Sequence, residues 1–314
     1  GYIANDITGE EVTSYALPIK LDCVPITKEM RKNHQRAKSR VDANKEVWKS
    51  NTVIVVDTSG SMKNSDVWGS RTRLDAVWVS LALDFLAHRL ESGNGGLYDV
   101  VSIISLGPES EVVVLREPTS WILYNKIVDI YTNKEFSPFG HVHYIPSIRE
   151  SKRLLTYNCQ TGSCAMALVF LSDGKPSDHM ILKTDARGCW DEVVHQVEKL
   201  ASRFGRRLTF TAIGIGNPEE FHVLRRMVES AQDYGATGSL ELPSRTSCAL
   251  GDAFISSATS LTDTQLEMTD MDTRKQRNMR MIPHESRKQA STIPKSVSIN
   301  DYHISPVETT TRSV

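Results

Sequence analysis

The stretch Val53-Ile54-Val55-Val56-Asp57-Thr58-Ser59-Gly60-Ser61-Met62 decides how the rest of the chain is read. Its apolar residues run without alternation, as in a parallel strand covered on both faces. The run ends abruptly in an aspartate and two serines spaced two apart. In open α/β sheets, ligands bind at the carboxyl ends of the strands. Three oxygen side chains on a tight glycine-bearing loop suit a hard cation such as Mg²⁺, which takes oxygen ligands. The same Asp-x-Ser-x-Ser pattern could instead cap the following helix through Ser59 or Ser61.

Outward from that strand, residues 48–262 alternate strand and helix. Strand one is Thr52 to Val56. The segment Arg73 to Leu90 is apolar nearly all round, apart from Ser80, Asp84 and His88, and so predicts a central, well-covered helix. It ends at Ser92-Gly93-Asn94-Gly95-Gly96. Tyr98 to Ser105 and Glu111 to Leu115 read as strands joined by a short Gly-Pro turn, which favours an antiparallel hairpin. Helices are expected over Trp121 to Ile130 and from Tyr144 to Leu155. Ala165 to Leu171 is a second continuous apolar run, ending at Ser172-Asp173-Gly174. Trp190, Val193, Val194, Val197, Leu200 and Phe204 recur at helical spacing before Gly205. Leu208 to Gly214 is the fifth strand. Asn217-Pro218-Glu219-Glu220 is a helix start, with Phe221, Leu224, Val228 and Ala231 facing inward. Leu240 to Leu242 reads as a short strand, and Ser244 as the cap of a last helix carrying Leu250, Phe254 and Leu261. The pattern predicts a three-layer α-β-α, doubly wound, mostly parallel sheet with one antiparallel edge strand.

The flanks differ. Residues 1–47 read as an N-terminal extension, partly helical or a linker, because Thr27 to Glu46 lacks a wide apolar stripe. Residues 263–314 read as a basic, Ser/Thr-rich and mostly disordered tail, marked by Arg274, Lys275, Arg277, Arg280, Arg287 and Lys288. Its role is a linker or a docking or phosphorylation segment. The chain opens with glycine, which fits a piece of a longer protein.

Bulk properties narrow the field. The 314 residues carry a formal net charge of −1, with 39% hydrophobic and 24% charged residues, as in an ordinary globular protein. No basic bias points to nucleic acid. No apolar run approaches the roughly 20 residues that span a bilayer, since Ala76 to Ala87 is interrupted by Ser80 and Asp84. The five cysteines are an odd number lying mostly in or beside apolar segments. They fit reduced thiols and a cytoplasmic location better than a disulfide scaffold. The pair Cys159 and Cys164 could be a zinc half-site or a local disulfide.

The element order, VIVVDTSGSM at 53–62, FLSDGKPSD at 170–178 and FTAIGIG at 210–216 together resemble the von Willebrand factor A domain, over residues 48–262. That resemblance implies a metal-ion-dependent adhesion site. Ser59 and Ser61 would ligate Mg²⁺, or Mn²⁺, through their hydroxyls. Asp57 and Asp173 would ligate it directly or through water. Two carboxylates and two neutral hydroxyls leave such an ion under-neutralised, so it retains a demand for a carboxylate. The expected partner is therefore a protein offering Asp or Glu.

The sequence departs from the family in one place. Where the family supplies a threonine, Gly140-His141-Val142-His143-Tyr144 places Val142, which cannot ligate a metal. Either the site binds Mg²⁺ more weakly, or His143 or Tyr144 takes the role. His141, His143 and Tyr144 are also candidates for a rim that touches the partner, and the two histidines for a zinc site if further ligands lie near. Asp178 reads as a loop acid.

Residues 250–290, together with RRLTFTAIGIG at 206–216, resemble intracellular A-domain proteins of algae and other protists, some of which join the module to a kinase. Neither His-Arg-Asp nor Asp-Phe-Gly occurs here, so the alternative is a regulatory or scaffolding segment of a longer protein with a degenerate metal site. Catalysis is not expected. A phosphatase-type strand end needs a second aspartate where Ser59 stands. There is no GxxxxGK[ST] loop, no third glycine after Gly214-Ile215-Gly216, and no Gly-x-Ser-x-Gly elbow. A metal-dependent hydrolase is the least favoured reading, and the sequence does not indicate the oligomeric state.

Overall fold

Six strands form one sheet in the order β3-β2-β1-β4-β5-β6. The structure, a computed structural model, describes residues 20–157 and 163–280. The strands are β1 (Ser50–Asp57), β2 (Asp99–Leu106), β3 (Ser110–Pro118), β4 (Ala165–Ser172), β5 (Leu208–Gly214) and β6 (Thr237–Glu241). All neighbouring pairs are parallel except β2 and β3, the expected hairpin. Every residue of β1, β2, β4 and β5 is buried, and each strand is mostly apolar on both faces, with its few polar residues buried as well.

Helices cover both faces. In chain order they are α1 (Lys28–Ala43), α2 (Arg73–Ser80), α3 (His88–Glu91), α4 (Trp121–Asn133), α5 (Tyr144–Thr156), α6 (His179–Leu182), α7 (Ala186–Phe204), α8 (His222–Asp233) and α9 (Ser247–Arg280). Ile54 and Val56 point into one core, with α2, α4 and α9. Val53 and Val55 point into the other, with α5, α7 and α8. The result is the expected three-layer, doubly wound architecture. Among the described residues no helix is long and apolar enough to cross a membrane.

Several elements differ from their sequence reading. The central helix is interrupted: α2 gives way to a π-helical stretch at Leu81–Ala87 before α3. Hydrophobic spacing does not distinguish a wide turn from an α-helical one over so few residues. The stretch sets Asp84 hard against α9, where a Cβ on Gly251 would come within 2.6 Å of its carboxylate. Strand β6 lies over Thr237–Glu241, three residues ahead of its expected start. Asn217 caps as expected, but only a short 3₁₀ turn, Pro218–Glu220, precedes α8.

Among the described residues the N-terminal flank is partly helical, as expected, and the helix after β6 runs further than its composition implied. In α1 the narrow stripe of His34, Ala37 and Val41 is buried. Leu21 lies in the core, and Val24 accepts and donates hydrogen bonds with the Asn125 side chain of α4. At the other end Thr246, not Ser244, caps α9 through the Ala249 N–H. That helix does not stop near residue 262: Met268, two turns beyond Leu261, is 1% exposed. One compact unit extends to Asp272, and Thr273 onward forms a second. The rest of the expected tail, from residue 281, lies outside the described residues, as does Cys159.

Candidate metal centre

The chain order fixes where a site can form. From β1 the sheet grows one way to β2 and β3, and from β4 the other way to β5 and β6. The carboxyl ends of β1 and β4 therefore sit side by side where the winding reverses, with Val56 in register with Leu171. Asp57 ends β1, and Asp173 follows β4.

Asp57 is fully buried and joins the two strand ends. Its Oδ1 accepts the Ser59 N–H at 2.7 Å. Its Oδ2 accepts the Ser172 hydroxyl at 2.6 Å and the Asp173 N–H at 3.3 Å. Burial, and after it the charge of Asp173, pushes its carboxyl up to about 6, against the opposing hydrogen bonds from Ser172 and Ser59. Burial likewise raises Asp173, opposed by Ser61 and Arg73. In both, the first cause is burial, so two carboxylates stand close together in a place poorly reached by water.

Three other oxygens face one another. Ser61 Oγ donates to Asp173 Oδ1 at 2.8 Å, Ser59 Oγ stands 3.1 Å from Ser61 Oγ, and Ser59 Oγ is 3.5 Å from Asp173 Oδ1. Octahedral Mg²⁺, with oxygens at about 2.0–2.1 Å, sets adjacent ligands about 2.9 Å apart. Two edges of the triangle of Ser59, Ser61 and Asp173 are within about 0.2 Å of that spacing and the third is about 0.6 Å longer, and the all-oxygen donor set is of the kind Mg²⁺ takes. Asp57, with both oxygens occupied by protein donors, stands behind that triangle. Neither serine caps a helix: the 3₁₀ turn Gly60–Lys63 has no side-chain cap, and Thr72 caps α2.

The sequence reading missed Arg73. This first residue of α2 holds Asp66 in a fork, Nε to Oδ1 at 2.8 Å and Nη2 to Oδ2 at 2.6 Å. Its Nη1 reaches Asp173 Oδ2 at 2.9 Å. Asp66 is held below the usual carboxylate range by that fork, and also pairs with Arg245 at 3.3 Å. Three carboxylates (Asp57, Asp66, Asp173) against two guanidiniums leave the cluster one negative charge in surplus. A signal was present in the sequence: a cation at a helix N-terminus opposes the helix dipole unless an acid holds it. Ser172, within FLSDGKPSD, is a second residue of this kind: its hydroxyl orients Asp57.

The loop carrying the family's departure lies against the Asp57 loop. Gly60 N–H donates to Gly140 O at 3.0 Å, and Phe139 N–H to Thr58 O at 2.8 Å. Val142 is buried in the core with Tyr144, Ile145 and Ile148. Tyr144 does not belong to a rim, for it is wholly buried. Its hydroxyl lies 2.6 Å from Ser172 Oγ and 2.8 Å from Gly174 O, and its ring packs edge-on to Phe170. It steadies the end of β4 from beneath. Asp178 is more than a loop acid: its buried carboxylate accepts the N–H groups of Tyr144 at 2.7 Å and Ile145 at 2.9 Å, capping α5. His143 ties its Nδ1 to Pro108 O at 2.8 Å, while His141 is exposed. Among the described residues no three His, Cys, Asp or Glu side chains converge on a metal position, so the site depends on its hydroxyls.

No protein-family model matches the sequence, and no curated protein matches it. Solved structures do share the architecture. The PilB minor pilin from Streptococcus sanguinis aligns with a TM-score of 0.51 at 14% identity, over 69% of this chain and 61% of the pilin. Its D319A mutant aligns with a TM-score of 0.54 at 14% identity, over 69% of this chain and 62% of the pilin. A von Willebrand factor type A protein from Catenulispora acidiphila aligns with a TM-score of 0.48 at 15% identity, over 68% of this chain and 43% of that one. The chain thus spans about three fifths of the pilin's length, and at such identities the likeness is one of fold. Sheet order, the antiparallel β3 and the helices on both faces give the chain a von Willebrand factor A-like α/β fold.

Proposed function

We propose that the domain is a non-enzymatic protein-interaction module that grips an Asp or Glu side chain of a partner protein through Mg²⁺, or Mn²⁺. Ser59, Ser61 and Asp173 hold the ion and Asp57 supports them. The observation that carries this reading is the triangle of three facing oxygens, two of its edges close to octahedral spacing. The ion supplies an electrophilic position for a carboxylate oxygen. The serines hold it without neutralising it, and Asp57 keeps the two strand ends together. His141 and the neighbouring Phe139, which is 72% exposed, would flank the incoming side chain. Asp57, the one acid in the position of a phosphatase nucleophile, is buried and fully hydrogen-bonded, which supports a binding rather than a catalytic role.

A second reading is a regulatory or scaffolding segment whose ion site is weak. Val142 in the core and Arg73 on Asp173 favour it. Calorimetric titration of Mg²⁺ and Mn²⁺ into the full chain tests both readings. The ion-dependent module requires saturable binding that is lost in Ser61→Ala and Asp173→Asn, with circular dichroism unchanged, and a partner captured in Mg²⁺ but not in EDTA. Absence of binding by either ion refutes it.

A further inference from the structure

We propose that Arg73 is a tethered cation that competes with the divalent ion for Asp173, and that Asp66 is the seat to which it withdraws when the ion binds. The inference rests on the metal-site reading above and concerns what sets the strength of that site.

The guanidinium is built into its place. Arg73 is 8% exposed. Its backbone N–H is fixed to Asn64 O at 2.9 Å. Gly216, in the loop after β5, makes room for it: a Cβ there would meet Nη1 at 3.3 Å, and its φ of +147° disfavours a side chain. The contacts are unequal. Two nitrogens grip Asp66, and one reaches Asp173. Letting go of Asp173 breaks one hydrogen bond and leaves the fork intact, so the guanidinium never becomes an unpaired buried charge.

Asp173 is where the two cations meet. Its Oδ1 faces Ser61 and Ser59, and its Oδ2 faces Nη1. A divalent ion on Oδ1 draws electron density from the same carboxylate that Nη1 holds, and the two positive charges repel. Without the ion, Arg73 partly neutralises the buried Asp57–Asp173 pair. With it, that duty passes to the ion and Arg73 retires to Asp66, itself steadied by Arg245. Displacing one charge-assisted hydrogen bond lowers ion affinity by roughly tenfold to a hundredfold.

The test is calorimetric titration of Mg²⁺ into the full chain carrying Arg73→Gln, Asp66→Asn, both, or Ser61→Ala, with thermal unfolding in EDTA and in Mg²⁺. Arg73→Gln should tighten Mg²⁺ by about tenfold or more, lower stability in EDTA, and widen the gain from Mg²⁺. Asp66→Asn should loosen Mg²⁺, because Arg73 then has only Asp173. In the Arg73→Gln background Asp66→Asn should change little, since Asp66 acts through Arg73.

Unchanged or weaker binding in Arg73→Gln, alongside wild-type binding that Ser61→Ala abolishes, overturns the competition and leaves the metal site standing. A full Asp66→Asn effect in the Arg73→Gln background overturns the seat. Absence of binding in every form removes the metal site itself. If Arg73→Gln folds in neither EDTA nor Mg²⁺, Asp66→Asn decides alone, and tightened or unchanged binding there is fatal.

Discussion

The stability gained from saturating Mg²⁺ should disappear on acidification, over a range set by Asp57. In the ion-free native protein, burial and the charge of Asp173 raise this carboxyl from 3.8 to about 6. Between those values the native state binds a proton that the unfolded chain does not. Ion-free stability on this account therefore rises as pH falls through about 6, and the buried charge is a full burden only above that. With Mg²⁺ at the site Asp57 stays ionised, and binding must expel the proton. Below about pH 6 the increment in unfolding free energy due to Mg²⁺ should shrink by about 1.4 kcal/mol per pH step. The loss should total on the order of 3 kcal/mol by about pH 4.

The assay is urea unfolding of the full chain in Mg²⁺ and in EDTA, from about pH 7 to about pH 4. Taking the difference cancels surface acids such as Glu150 and Glu198, which their partners hold low and which act the same way in both buffers. An increment that persists undiminished at about pH 4, or that grows on acidification, would refute the claim that the ion answers the charge of Asp57 and Asp173.

Asp178→Ala should cost about 2–3 kcal/mol in urea unfolding, because the Tyr144 and Ile145 N–H groups at the buried start of α5 lose their acceptor; a loss under about 0.5 kcal/mol would exclude the cap. Met268→Ala should cost about 2–4 kcal/mol by leaving a cavity under α9, and a neutral result would show that the domain ends near residue 262 after all.

Legibility of the fold in the sequence followed burial. β5 was readable to the residue, as Leu208–Gly214, because the buried segment holds only apolar residues, glycine and two β-branched threonines, and charged or turn-forming residues bound it. The placing of Asp57 with Asp173 came from the resemblance to the A domain, and the sheet order sets the two strand ends side by side. What stayed hidden depends on contacts between segments far apart in sequence. Arg73 and Asp173 are 100 positions apart, and Tyr144 and Ser172 are 28 apart. Nothing local marks a tyrosine as lying beneath a strand end rather than on a rim. The basic residues after 263 obscured an apolar spacing from Leu261 to Met268 that continues the helix. The wide turn at Leu81–Ala87 carries Asp84 close against Gly251, a contact that hydrophobic spacing does not encode.

Val142 gives the last separation of cause from resemblance. Aligned on the family pattern, it looks like a lost ligand whose restoration as threonine would strengthen ion binding. In this chain its side chain faces the core that holds Tyr144, Ile145 and Ile148, while its carbonyl accepts the Ser177 N–H at 2.8 Å. The loop approaches the Asp57 turn through backbone groups, Gly140 O and Phe139 N–H, not through residue 142. A hydroxyl placed there would meet apolar neighbours and cost about 1–3 kcal/mol. Val142→Thr should therefore destabilise the chain and leave Mg²⁺ affinity unchanged, whereas Arg73→Gln should raise it. If calorimetry finds the reverse order, the loop must move toward the ion on binding, and the strength of the site is set by that motion rather than by the charge beside Asp173.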